Sequence, residues 1–114
     1  MSMASALAGQ APVFAALGDE MRLRIVARLG DSPPLSIAAL SAGEPVTRQA
    51  ITKHLRVLEG AGLVQSSRNG RERLWELKAE RVEEARSWLD ELSRRWDDRL
   101  ERLRTFVEED PSRA

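Results

Sequence analysis

The residues with the most informative chemistry lie between positions 46 and 73, where basic side chains outnumber acidic ones. The only acids there are Glu59 and Glu72, whereas the bases number six: Arg48, Lys53, Arg56, Arg68, Arg71 and Arg73. Residues 80–110 show the opposite balance, with eleven acids against seven arginines, although the formal net charge of the chain is zero. This asymmetry favours a nucleic-acid partner for the middle of the chain and a solvated or self-associating helix for its end.

A polar face at helical spacing follows Thr47, which is a suitable N-cap for a helix running to about Ala61. Ile51, Leu55 and Leu58 form the apolar stripe of this helix. The opposite face then carries Arg48, Gln49, Thr52, Lys53 and Arg56. In a major groove, arginine and lysine bond guanine or phosphate, glutamine bonds adenine, and threonine bonds a base edge or touches a thymine methyl group. Thr47 and the free amides of the first turn suit a phosphate, so the pattern predicts a DNA-reading helix.

A basic hairpin is predicted directly after this helix, with strands at 63–68 and 71–77. Asn69-Gly70 between them is a strong signal for a two-residue turn. Three side chains flank the turn and could reach phosphate or the minor groove: Arg68, Arg71 and Arg73. The alternative is that they only keep an edge strand soluble.

The sequence offers no chemistry for an enzyme or a metal centre. It has no cysteine and one histidine, His54, and shows no phosphate-binding loop or nucleophile–base pair. We therefore predict no catalytic residue, no metal and no cofactor, and expect His54 to pack beside its helix or touch phosphate. No apolar run approaches the roughly 18 residues that cross a membrane. The first residues lack the basic region of a signal peptide, so the expected location is the cytoplasm.

Four segments are expected along the chain: a flexible N-terminus at 1–11, a DNA-binding domain at 12–78, a helix at 79–109 and a tail at 110–114. Within the domain, a short helix begins at Pro12, Asp19 caps a second helix and Ser36 caps a third. Gly43-Glu-Pro45 forms a turn before the reading helix.

The last helix carries an apolar seam at spacings of three and four residues over nearly four heptads. At a rise of about 1.5 Å per residue it is on the order of 45 Å long, which exceeds what so small a core can cover. The seam therefore predicts a second copy of the chain as its partner. The expected homodimer contacts, including two from the first helix, are Phe14, Leu17, Val82, Leu89, Leu92, Trp96, Leu100 and Leu103.

Three runs together resemble the ArsR-type winged helix-turn-helix repressors: LGDEMRLRI at 17–25, TRQAITKHLRVLEGAGLV at 47–64 and RNGRERLWEL at 68–77. The resemblance covers about residues 13–78. It implies a dimer that binds operator DNA and usually represses, with the fourth helix in the major groove, the hairpin as wing, and dimer contacts from the first and last helices. It also places Gln49, Thr52 and Lys53 where the family contacts DNA.

The chain departs from the metal-sensing members of that family. Those carry cysteines in the third helix, or acid and histidine ligands in the last, whereas here 36–43 reads SIAALSAG and the last helix has no histidine. The chain thus resembles the subgroup without a metal site. The predicted fold is mainly α with a small β-hairpin wing and a long C-terminal dimerisation helix. The predicted function is sequence-specific binding of an inverted-repeat operator by a homodimeric regulator. Two alternatives remain: a winged-helix protein-interaction module without DNA binding, and a sensor of an unidentified effector.

Overall fold

The computed structural model describes residues 3–109, with side chains from residue 7 onward; the predicted tail at 110–114 lies outside the described residues. The elements in chain order are α1 (Met3–Leu17), α2 (Glu20–Gly30), β1 (Leu35–Ser36), α3 (Ile37–Ser41), α4 (Arg48–Gly60), β2 (Val64–Asn69), β3 (Glu72–Leu77) and α5 (Ala79–Glu109). The predicted winged helix-turn-helix fold, mainly helical with a small wing and a long last helix, is confirmed.

Three helices begin at the N-caps that the sequence predicts. The side chains of Asp19, Ser36 and Thr47 each accept a hydrogen bond from the backbone N–H three residues later, at 3.0–3.1 Å. Each bond satisfies one of the amides that a helix start leaves without an intrahelical partner. Gly62 has the positive φ of 76° expected of a glycine just after a helix, so α4 starts and stops where local chemistry dictates.

The apolar stripe of α4 lies at the centre of the core. Ile51, Leu55 and Leu58 are fully buried, and Trp75 of β3 is buried with them. The other buried members of this cluster are Val13, Ala16, Ile25, Leu29, Leu40, Leu63, Val64 and Ala85. Because one side of α4 is held in this core, its opposite, polar side faces solvent.

The wing is a three-stranded antiparallel sheet in the order β1-β3-β2, with Leu35 opposite Trp75. The predicted turn centre at Asn69-Gly70 is wrong, because Asn69 pairs with Glu72 and the two loop residues are Gly70 and Arg71. Gly70 has φ 69° and no non-glycine residue among those described has a positive φ. Glycine at the first loop position with a normal residue after it is the type II′ hairpin arrangement, which places Arg71 in the turn.

The predicted start of the first helix at Pro12 is also wrong. Residues 3–11, which the sequence assigned to a flexible N-terminus, are helical, and Pro12 lies inside α1. Proline has no N–H to donate to the carbonyl four residues back, so α1 has one backbone hydrogen bond fewer at that point. The alanine-rich composition of 4–11 favours a helix. The sequence-based prediction gave more weight to Gly9 and Pro12, which disfavour one.

The second half of α5 projects from the rest of the molecule. The radius of gyration is 20.2 Å and the principal extents are 72 × 31 × 21 Å, against about 13 Å for a compact domain of 100 residues. Ala85 is the one buried residue of α5, and every residue from Leu92 to Glu109 is exposed. The helix begins at Ala79, where the last segment was predicted to begin.

Candidate nucleic-acid interface

Arginines of α2 hold the helix-turn-helix in place. The guanidinium of Arg28 donates to the carbonyls of Leu40 at 2.9 Å and Ala39 at 3.1 Å, and so supplies donors to the end of α3. Arg24 bonds Glu44 of the following turn at 3.3 Å. These basic side chains are engaged within the chain, where they connect α2 to α3 and to the turn before α4.

The outward face of α4 carries exposed polar side chains near the start of the helix. The side chains of Arg48, Gln49 and Lys53 are exposed, and none of these side chains forms a hydrogen bond or ion pair with any residue in 3–109. Thr47 uses its hydroxyl oxygen as the N-cap. Thr52 is half-buried, and its hydroxyl donates to the carbonyl of Arg48 at 2.8 Å. The start of α4 therefore presents two cations and one amide without an acid among them.

A shallow groove separates the start of α3 from this part of α4. Its walls are formed by Ile37, Ala38, Arg48, Gln49, Thr52 and Lys53. Ile37 and Ala38 were not among the predicted site residues. The signal that could have identified them is the Ser36 N-cap, since it starts α3 immediately before the pair and α3 packs against α4.

Arg56 joins the reading helix to the wing. Its guanidinium bonds Glu59 at 2.9 Å and lies 5.7 Å from the centroid of the Trp75 ring, within cation–π range. The sequence predicts an outward side chain that contacts DNA, and the structure shows an exposed side chain that already has two neighbours in the chain. The DNA contact of Arg56 stays a prediction. Because Trp75 belongs to β3, the contact with its ring links α4 to the wing.

The wing presents its three arginines in different settings. Arg68 and Arg73 lie directly opposite each other in the β2–β3 register, and Arg73 also donates to the hydroxyl of Ser66 at 2.7 Å. Arg71 is exposed in the turn. Like charges placed opposite each other destabilise a hairpin, so the tip is arranged to favour an anion between or beside these side chains.

A small polar cluster connects α1, α2 and α4. Arg22 donates to the carbonyl of Ala16 at 2.6 Å, and its Nη1 lies 3.3 Å from Nδ1 of His54. The Asp19 carboxylate is 3.8 Å from the same Nδ1. The backbone N–H of Arg22 lowers the pKa of Asp19, as do the charges of Arg22 and His54. Of the two roles expected for His54, the structure shows packing beside its helix, against α2.

The predicted dimer residues fall into two groups. Phe14, Leu17 and Val82 are half-buried and pack against the core of their own chain, and the Phe14 ring is 5.7 Å from that of Trp88. The other five are exposed on α5: Leu89, Leu92, Trp96, Leu100 and Leu103. Leu7 and Val107 are further exposed apolar residues outside the predicted set.

Two further observations concern other kinds of site. Between residues 3 and 109 the structure contains no group of three or more histidine, cysteine, aspartate or glutamate side chains that could hold a metal ion. No helix in the same part of the chain is long and apolar enough to span a membrane.

Comparison with known proteins links this geometry to regulators of transcription. Residues 17–66 match the family model described as a helix-turn-helix domain. The HTH-type transcriptional regulator YuzN of Bacillus subtilis is 43% identical over 68 residues, which cover 54% of this chain and 74% of that protein. The HTH-type transcriptional regulator Rv2034 of Mycobacterium tuberculosis is 37% identical over 75 residues, covering 66% of this chain and 69% of that protein.

A solved structure extends the similarity to nearly the whole chain. The ArsR-like transcriptional regulator from Rhodococcus sp. RHA1 superposes with a TM-score of 0.77 at 37% identity. The match covers 88% of this chain and 93% of that one. The uncovered part of this chain is shorter than the last helix, so the match includes at least part of that helix and extends beyond the helix-turn-helix unit.

Proposed function

The chain belongs to the ArsR-type winged helix-turn-helix transcriptional regulators, and from that premise we propose that it is a homodimeric repressor of an inverted-repeat operator. It is a DNA-binding regulator and not an enzyme. The observation that carries the proposal is the cationic surface formed by exposed basic side chains at the start of α4, Arg48 and Lys53, and on the wing, Arg68, Arg71 and Arg73. We propose three further properties: which residues contact DNA, that the protein is a homodimer, and that it represses transcription.

The position of each side chain suggests which part of the DNA it contacts. Gln49 stands near the start of α4, where residues of a recognition helix reach base edges, and its amide can bond adenine in two places. Arg48 and Lys53 flank it and suit guanine edges or phosphate. Arg68, Arg71 and Arg73 lie on the wing at a distance from the helix axis, so their partner is the backbone or the minor groove.

The dimer proposal rests on the unburied half of α5. An isolated helix of about 12–15 residues is only marginally stable in water, yet α5 continues for two full heptads beyond the last residue that its own chain shields. The exposed residues share one face, as Leu92, Trp96 and Leu103 do. A second copy of α5 would cover this face and stabilise both helices.

The α1–α5 contact places part of α1 beside the seam, since the Phe14 ring is 5.7 Å from that of Trp88. Phe14 and Leu17 lie on the same side and would extend the interface from α5 to α1.

Repression is proposed because of how such a dimer occupies DNA. Two α4 helices docked into successive major grooves are about 34–36 Å apart. A protein seated across one turn of a promoter excludes other proteins from that stretch. Release of the DNA would then require an effector, which stays unassigned.

Selection from a random duplex library with the purified protein tests the proposal. We expect enrichment of an inverted repeat whose half-sites are about one helical turn apart. Sedimentation at tens of micromolar should show a dimer. Enrichment of a single half-site by a monomer would contradict the dimer. A folded protein that enriches no sequence would favour the protein-interaction alternative, and higher reporter output in the presence of the protein would reverse the sign of regulation.

A further inference from the structure

The groove between α3 and α4 is partly apolar although it lies on the cationic surface. Ile37 is half-buried and Ala38 is exposed, and both line the groove beside Arg48 and Lys53. Nothing among the described residues covers Ala38. An apolar strip between two cations is unsuited to contact with phosphate alone, so it needs a different explanation from that of the charges around it.

Thr52 adds to the apolar part of this groove. Its hydroxyl donates to the carbonyl of Arg48 at 2.8 Å, so the single hydroxyl proton is already used inside the helix. The hydroxyl oxygen can still accept a hydrogen bond but can no longer donate one to a base, and the methyl group beside it has no partner in the chain. Threonine was expected either to bond a base edge or to touch a thymine methyl, and this bond favours the second role.

The chemistry of the major groove restricts what can fill an apolar strip there. The four base pairs present nitrogen and oxygen donors and acceptors, and the one apolar group among them is the 5-methyl group of thymine. We infer that the groove lined by Ile37, Ala38 and Thr52 receives the 5-methyl group of one thymine in each half-site. The inference rests on the proposed operator binding and adds a base-specific contact to it. Arg48 and Lys53 on the rim hold the neighbouring phosphates or guanines.

Uracil substitution tests this contact with a change of one methyl group. Each thymine of the selected operator is replaced in turn by deoxyuridine, which keeps base pairing and every hydrogen-bonding group. At one position per half-site, loss of the methyl should weaken binding about fourfold, the value of burying one such group. Replacement in both half-sites should weaken it by about the square of that factor. Other thymines should tolerate uracil.

Two matched variants locate the contact on the protein. Thr52→Ser removes the methyl and keeps the hydroxyl that bonds the Arg48 carbonyl, so the fold is retained. It should lose most of the preference for thymine over uracil at that position. Thr52→Val keeps a methyl and removes the hydroxyl, and it should retain the preference. Combining Ala38→Gly with Thr52→Ser should abolish the preference, with melting temperatures measured for each variant.

The outcomes separate this inference from the proposed function. A wild-type protein that binds its operator but tolerates uracil everywhere overturns the methyl contact alone. A preference for thymine that the double variant keeps in full also overturns it, because the methyl is then read elsewhere. If no operator is enriched at all, both the proposed function and this contact fail.

Discussion

Helices α4 and α5 show the same apolar periodicity but differ in what covers it. In α4, Ile51, Leu55 and Leu58 are 0% exposed. In α5, the five seam residues from Leu89 to Leu103 are 44–58% exposed. Spacing of three and four residues therefore identifies the face of a helix that requires a partner. It does not say whether that partner is the same chain or another one.

The polar faces of the two helices differ in whether their charged side chains are paired within the chain. Along α5, Glu91 bonds Arg94 at 2.6 Å and Arg95 at 3.0 Å, and Arg104 bonds Glu108 at 3.1 Å. Such pairs three or four residues apart neutralise the surface of a helix. The start of α4 has no acid to pair with its cations. The difference indicates an apolar partner for α5 and an anionic partner for α4.

The largest expected effect is on the seam of α5. Leu92→Arg places a charge where a second α5 is proposed to pack, and burying an uncompensated charge costs several kcal/mol. Sedimentation equilibrium should show dissociation of the dimer. The matched control is Ser87→Arg, which adds the same charge on the opposite face and should leave the dimer intact. Equal behaviour of both variants would place the interface elsewhere.

The next largest effect compares the apolar stripe of α4, which its own chain buries, with that of α5, which a second copy is proposed to cover. Leu55→Ala leaves a cavity in the core and should lower the free energy of unfolding by about 2–5 kcal/mol. Leu100→Ala should instead raise the dissociation constant of the proposed dimer, because its side chain is exposed in the single chain and would be covered only by a second copy. Urea unfolding at two protein concentrations, with sedimentation of each variant, measures both quantities. A Leu55→Ala protein that unfolds like the wild type would contradict the assignment of the core.

A smaller effect distinguishes the outer face of α4 from the wing. Gln49→Ala should cost roughly 1–3 kcal/mol on the operator and little on random DNA, because a base contact carries sequence information. Arg71→Ala should weaken both duplexes alike and reduce the salt slope by about one unit per lost phosphate contact, hence two for a dimer. Titration of both duplexes at several salt concentrations separates them. If Gln49→Ala weakens both equally, α4 does not read the sequence.

The smallest expected effect concerns Asp19, which caps α2 and whose carboxylate lies beside His54 of α4. The pKa of Asp19 is lowered, chiefly by the backbone N–H of Arg22. A lowered pKa means that the charged form adds stability above the unfolded value of 3.8, and that this stability is lost as the pH falls below it. Asp19→Asn keeps a capping side chain without the titrating charge. Its melting temperature should fall less steeply than that of the wild type below pH 4, and parallel curves would contradict the assignment.

Much of the fold could be predicted because it depends on contacts between near neighbours in the chain. The caps at Asp19, Ser36 and Thr47 act over three residues, and Gly62 permits a backbone conformation that other residues avoid. The apolar stripe of α4 follows from the helix repeat alone. These local rules were sufficient to place α4 with its polar residues outward, and with them most of the candidate interface.

What the sequence could not determine depends on residues distant in the chain or on competing local preferences. The two-residue strand at Leu35 exists only because β3 lies beside it, and so short a segment has no periodicity of its own. At the hairpin, Asn69 and Gly70 suit one turn type, but Gly70 and Arg71 also suit another, and the sheet register decided between them. Arg56 illustrates the same limit, since only folding brings Trp75 beneath its guanidinium. The sequence determined which side chains are polar and outward, whereas the tertiary structure decided which of them already have a partner, because desolvation and pairing depend on neighbours that only the fold supplies.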